Sequence, residues 1–215
     1  MKLYRNYIYL CLFFLGYIFL SCKSSPKVSL AQFTLKDSVE ESITPNPYIA
    51  RDRSPMDMSY WPSSYPILKM NNDDSIELLA RLIYSRPQKR GRVIFGENGE
   101  SLCAYGKEWR LGANEATEID FFKPAIIAGN KINAGKYILY CKPYPDYWEL
   151  IFNSNIYTWG LHIDSTKDIL KISVPVIPQT PPLEEFTMIF KDTEGGTNLI
   201  MAWDSVKVIL PIQPE

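Results

Sequence analysis

From about Ser54 onward the chain repeats one texture: apolar runs of roughly four to eight residues, cut by Pro, Gly, Asn and Asp. ATEIDFF, KYILY, WELIF, DILKISVPV, FTMIF, TNLIMAW and VKVILPI are rich in β-branched and aromatic residues, which suit a pleated, half-buried surface. In ATEIDFF, Thr117, Ile119 and Phe121 fall on one face, with Glu118 and Asp120 on the other. AGN at 128–130, NAG at 133–135, PYPD and EGG supply turn chemistry between the runs. About ten strands follow, at the spacing expected of a sandwich or barrel. The expected fold is all-β, an antiparallel, jelly-roll-like β-sandwich. IELLARLIYS is ambiguous, because Leu78, Leu79, Leu82 and Ile83 also fit a helical spacing. Its short, Pro-bounded setting favours a strand.

The N-terminus carries a different signal. Lys2 and Arg5 precede an apolar run from about Tyr7 to Leu20, which ends in Phe19-Leu20-Ser21-Cys22. This order predicts a secretory leader over 1–21, and Cys22 after a small residue is similar to a bacterial lipobox, with Phe19 where Leu is usual. The expectation is cleavage before Cys22 and acylation of its thiol. Each buried methylene of the attached chains adds about 0.8 kcal/mol of membrane affinity. Residues 22–52, rich in Ser, Lys, Pro and acidic types, read as a tether, and 53–215 as one domain. The predicted location is the bacterial cell envelope, membrane-anchored through Cys22. KSSPK after Cys22 lacks an acidic run, which points to a periplasm-facing anchor.

Cleavage would leave 194 of the 215 residues, with 21 basic against 24 acidic side chains. That balance argues against a nucleic-acid partner and leaves room for a small anionic ligand held by a local patch. Cys103 and Cys141 would be the remaining thiols, either joined as a disulfide or buried separately.

RDRSPMDMSY, LIYSRPQKRGRVIFG, YGKEWRLGANEATEIDF, INAGKYILY, WELIFN, WG, KDILKISV and EEFTMIF occur in an order that resembles domain of unknown function family 2911, over residues 53–212. The resemblance implies a β-sandwich in a secreted or envelope protein, with no established reaction and no catalytic residues to carry over. It also leans IELLARLIYS further toward strand and marks Cys103 as a departure from the expected Val- or Pro-like residue.

Two stretches concentrate chemistry. SRPQKRGR places Arg86, Lys89, Arg90 and Arg92 on a turn fixed by Pro87 and Gly91. Guanidinium forks there could hold a phosphate, sulfate or carboxylate, or could pair with acidic loops around Glu97, Glu100, Glu115 and Glu118. In YGKEWRLGANEATEID, residues 109–111 read as strand, 112–114 as a tight turn, and Glu115 as the start of the next strand. Arg110 and Glu115 would form an ion pair across that turn while Asn114 caps it. The alternative makes Arg110, Asn114 and Glu115 a polar trio that receives a ligand.

No cofactor and no metal is expected: His162 is the single histidine, and Asp164 with Asp168 lacks a calcium-loop order. Trp148 and Trp159 are expected in the core, with Tyr144, Tyr147 and Tyr157 at its edge. The leading functional reading is a binding or structural module for a small polar or glycan-like ligand. The alternatives are a hydrolase using Glu115 with Glu118 or Asp120, and an envelope-complex scaffold without a small ligand.

Overall fold

The computed structural model describes residues 53–97 and 99–215, so the expected leader, Cys22 and the whole of the expected tether lie outside the described residues. Among the described residues the fold is all-β, with antiparallel sheets as the alternation requires. Twelve strands form: β1 Met56–Trp61, β2 Ala80–Ser85, β3 Phe95–Gly96, β4 Cys103–Ala104, β5 Glu118–Phe121, β6 Ala125–Ile127, β7 Asn130–Ile132, β8 Gly135–Pro143, β9 Tyr147–Asn153, β10 Asp168–Pro175, β11 Ile177–Thr193 and β12 Gly196–Pro214. A short helix, α1, spans Tyr65–Met70, and one 3-10 turn spans Ser165–Lys167.

Six strands make one sheet in the order β1-β2-β5-β8-β9-β10, four make a second in the order β11-β12-β6-β7, and β3 with β4 forms a small parallel pair. IELLARLIYS supplies β2, paired on both sides, to β1 and β5. TNLIMAW and VKVILPI are not two strands but one, β12, carried through a left-handed backbone at Asp204. β11 tolerates Pro178, Pro181 and Pro182 because it lies at a sheet edge, where missing ladder donors cost least, and its pairing shifts register there.

Trp109, Trp148, Trp203, Phe95 and Phe186 form an aromatic cluster with ring centroids 4.9–6.4 Å apart. These rings anchor a core that also takes Leu82, Ile119, Leu139, Leu150, Phe152, Met188 and Leu210. Truncating a ring such as Trp148 to alanine removes about 3–5 kcal/mol in such a setting. Cys103 and Cys141 belong to this core as free, buried thiols, so the disulfide weighed from the sequence is not formed. Burial pushes both thiols up, the opposite of a reactive cysteine.

The charged face of β2, β5 and β8 is an ordered ladder. Arg81 and Lys136 both stand opposite Asp120 in register. Arg81 pairs with Asp120 at 2.8 Å, and Lys136 with Glu118 at 2.8 Å and Asp120 at 3.8 Å. The hydrogen bond it donates to Glu118 is the main reason the Lys136 ammonium holds its proton more tightly than usual. Both carboxylates of EID are therefore engaged within the sheet.

Candidate functional site

YGKEWRLGANEATEID is an interrupted strand alongside β8. Trp109 exchanges both backbone hydrogen bonds with Cys141, and the Leu139 N–H donates to the Thr117 carbonyl. Residues 110–116 leave the ladder between these two points. The base of the excursion is closed by Thr117, whose hydroxyl donates to the Leu111 carbonyl at 2.6 Å, and by the Trp109 indole N–H, which reaches the Gly112 carbonyl at 3.4 Å. Gly112 is needed for space, because a Cβ there would lie 3.0 Å from the Ser85 carbonyl oxygen. The extra strand expected at 109–111 reduces to Trp109 alone, and the next strand starts at Glu118 rather than Glu115.

A second loop, residues 154–164, packs on this excursion. The Arg110 guanidinium donates to the Trp159 carbonyl at 3.0 Å. Gly160, with φ of 74°, sits so close that an added Cβ would be 2.9 Å from the Ala116 Cβ and 3.1 Å from that of Arg110. Only glycine adopts that backbone and permits that approach without strain.

The contact divides two concave regions. On one side Glu115, Ala116, Glu118, Tyr157, Thr158 and Trp159 line a cavity of about 290 Å³. On the other, a cavity of about 380 Å³ is lined by residues including Arg92, Leu102, Glu108, Trp109, Arg110 and Leu161. A third, of about 350 Å³, adjoins the second at Ser54 and Arg92 and takes in Arg53, Gln88 and Arg90.

The SRPQKRGR loop is placed by pairing with β11. Gln88 bridges to Glu185, the Lys89 N–H donates to the Glu184 carbonyl and the Phe186 N–H donates to the Pro87 carbonyl. The loop thereby covers part of an edge that would otherwise expose unpaired backbone. Its cations divide into two groups. Arg86 pairs with Asp57 at 3.3 Å and Glu185 at 2.9 Å, and Lys89 with Asp204 at 2.6 Å. The carboxylates expected from sequence, Glu97, Glu100, Glu115 and Glu118, are not the partners. Among the described residues Arg90 and Arg92 have no carboxylate within ion-pair distance; Arg90 donates to the Gln88 side chain, and Arg92 to the Gln88 and Lys89 carbonyls.

Several expected positions thus resolve. Arg110 and Glu115 make no ion pair; they line different cavities, and burial lowers the proton affinity of the Arg110 guanidinium with no carboxylate beside it. The Asn114 side chain donates to the Ser54 carbonyl at 3.4 Å. Arg92 and Arg110 meet at one cavity and Arg90 at the next, whereas Arg86 is an ion-pair residue between β1 and β11. His162 is exposed, and among the described residues no group of three or more His, Cys, Asp or Glu side chains could hold a metal ion.

Trp148 is buried as expected, but Trp159 is 54% exposed and Tyr157 is 82% exposed. Trp159 is the main residue that sequence reasoning misplaced, and Arg53 and Leu161 were not singled out. The available signal was its neighbour: a Trp-Gly pair outside any alternating run belongs to a loop, where a ring need not be buried. Four of the seven non-glycine residues with positive φ among the described residues, Arg90, Leu111, Asn114 and Tyr157, lie on these segments. Such backbone strain concentrates where side chains are held for a task.

No curated protein and no solved structure matches the chain. A family model described as a protein of unknown function, DUF2911, matches residues 71–212, which include β2, the SRPQKRGR loop, the 110–116 excursion and every later strand except the end of β12. The chain is a member of the DUF2911 family.

Proposed function

We propose that this protein is a lipid-anchored envelope module that binds a glycan-like ligand in the cavity beneath residues 157–159. The observation that carries the reading is the pairing of exposed Trp159 and Tyr157 with Glu115 and Thr158 around one cavity, whose further carboxylate, Glu118, is held by Lys136. A flat ring offers an apolar face to the C–H face of a sugar, while carboxylates and a hydroxyl accept and donate to its hydroxyls. Tyr157 is further fixed by its left-handed backbone and by Lys136, whose ammonium lies 5.7 Å from the ring centroid. Arg110 and Gly160 hold the loop from behind, so the aromatic wall is preorganised. The FLSC sequence supports attachment through Cys22 on the periplasmic side of an envelope membrane.

The test is thermal shift of the purified protein with neutral oligosaccharides, together with tryptophan fluorescence. A ligand that binds only the native state raises the melting temperature by mass action. Trp159→Ala abolishes the shift, and Glu115→Gln weakens it. Absence of any shift at millimolar oligosaccharide overturns the reading, as does a shift that Trp159→Ala leaves intact. Cys22→Ala should move the protein from the membrane to the soluble fraction; retention in the membrane overturns the anchor.

The same cavity holds Glu115 and Glu118 together, which is the observation that favours a hydrolase as the second reading. Oligosaccharide cleavage that Glu115→Gln does not slow would remove it.

A further inference from the structure

The arginines of this domain are distributed unequally. Six lie among the described residues. Arg81 and Arg86 are bound to carboxylates, whereas Arg53, Arg90, Arg92 and Arg110 form no ion pair among the described residues. All four line the two adjoining cavities of about 380 and 350 Å³, which meet at Ser54 and Arg92.

Three of these guanidinium groups are aimed by neutral acceptors. Arg90 spends Nε and Nη2 on the Gln88 side-chain oxygen. Arg92 spends the same two nitrogens on the Lys89 and Gln88 carbonyls, and Arg110 spends Nη1 on the Trp159 carbonyl. A carbonyl orients a guanidinium without cancelling its charge, and five N–H donors per group leave several unused in each. The acidic residues nearby do not neutralise the groove. Glu108 lines it but pairs with Lys142 at 3.6 Å, and the Glu184 carboxylate, which accepts from the Arg90 backbone N–H at 2.8 Å, is outside ion-pair distance of the four guanidinium groups. Arg110 is half-buried, so part of the cost of removing its water is already met before an anion arrives. Leu102 and Leu161, 48% and 66% exposed, give the same groove an apolar side.

We propose that this groove binds a small organic ligand carrying at least two oxyanion groups, carboxylate, sulfate or phosphate, on a compact body that rests against Leu102 and Leu161. Guanidinium forks match such oxygens bidentately, and their spread over two cavities calls for more than one anionic group. The concave shape favours a soluble ligand over the flat surface of a bilayer. The proposal does not rest on the aromatic cavity, which lies beyond the loop contact of Arg110 with Trp159.

Calorimetry of the full chain with trigalacturonate and with inorganic pyrophosphate tests it, with maltotriose as the neutral probe. Binding of at least one of the two anions is expected, weakening roughly tenfold as ionic strength rises from about 0.05 to 0.5 M because the charges face solvent on one side. Arg92→Gln combined with Arg110→Gln should reduce affinity at least tenfold. Because Arg92 also braces its own loop, Leu102→Glu serves as the second variant: it removes no hydrogen bond, adds a negative charge to the groove, and should cause a similar loss. Lys191→Gln, on an exposed position of β11, should leave binding unchanged. Failure of both anions to bind overturns the proposal, as does binding that neither altered groove weakens. Binding only to anionic phosphatidylglycerol vesicles also overturns it, in favour of a membrane surface. Anion binding without maltotriose binding refutes the aromatic-cavity reading alone, and the reverse refutes only the groove.

Discussion

The outer face of β2, β5 and β8 and the groove beside the SRPQKRGR loop are both rich in arginine and lysine, yet they use charge in opposite ways. On the sheet, Arg81, Asp120, Lys136 and Glu118 neutralise one another across registered strands. In the groove, Arg53, Arg90, Arg92 and Arg110 face a shared space with no carboxylate partner, and three of them are steered by neutral oxygens. The difference teaches that charge density alone says little about function. A compensated charge contributes to the fold, whereas an oriented and uncompensated one is available to a ligand.

The comparison breaks most severely at Asp120. Asp120→Ala leaves Arg81 and Lys136 sharing one face without their common acceptor, and should cost about 2–3 kcal/mol in a denaturant titration. A loss below the noise of that titration would mean that the ladder is decorative.

Alkaline pH tests the buried core that carries both regions. Tyr84 is buried, accepts from the Met188 N–H at 3.0 Å and donates to Asp57 at 3.2 Å; burial is the main reason its hydroxyl is pushed up to about 12. In the unfolded chain a tyrosine ionises near pH 10. Stability from this group is thus intact below pH 10 and falls as the pH rises toward 12, by about 1 kcal/mol per pH unit. The buried Cys103 and Cys141 thiols, also pushed up, act in the same direction. The melting temperature should therefore fall as the pH rises above about 10. A melting temperature that stays flat from pH 9 to about 11 would contradict the buried phenol.

Gly160→Ala probes the wall between the cavities. Its backbone is left-handed and its Cβ position is occupied by Ala116 and Arg110, so the substitution should cost about 1–2 kcal/mol and increase the exchange of amides near residues 110–116. Unchanged exchange would show that the two loops are not coupled. The smallest effect belongs to Arg53→Ala. With no ion pair to lose, stability should change by less than about 0.5 kcal/mol. Set against Asp120→Ala, that near-silence on stability is what marks a groove cation.

Much of the frame could be read in the chain beforehand. The alternation in ATEIDFF placed Thr117, Ile119 and Phe121 on one face, and all three are buried, although Asp120 on the opposite face is buried as well. IELLARLIYS became β2 because a strand bonded on both sides can bury Ala80, Leu82 and Tyr84 against the core, which outweighs a helical spacing of leucines. β12 was harder: the polar Asp204 between TNLIMAW and VKVILPI looks like a turn, but its left-handed backbone bends a single strand instead of ending it.

At the candidate site the sequence identified Arg90, Arg92, Arg110 and Glu115, but their relations were beyond it. Across a two-ended turn, Arg110 and Glu115 are natural partners by proximity. In the folded chain the 154–164 loop comes between their cavities and offers Arg110 a carbonyl. Trp159 was misplaced for the same reason, since a tryptophan is buried or exposed according to what packs over its loop. By itself the sequence determined the strand-forming texture, the inward and outward faces and the residues able to carry charge, because these depend on the side chain and its immediate neighbours. Only the tertiary structure decided which charges are cancelled. That depends on residues far apart in sequence, such as Arg86 with Glu185 and Lys89 with Asp204, being brought within a few ångströms by strand pairing.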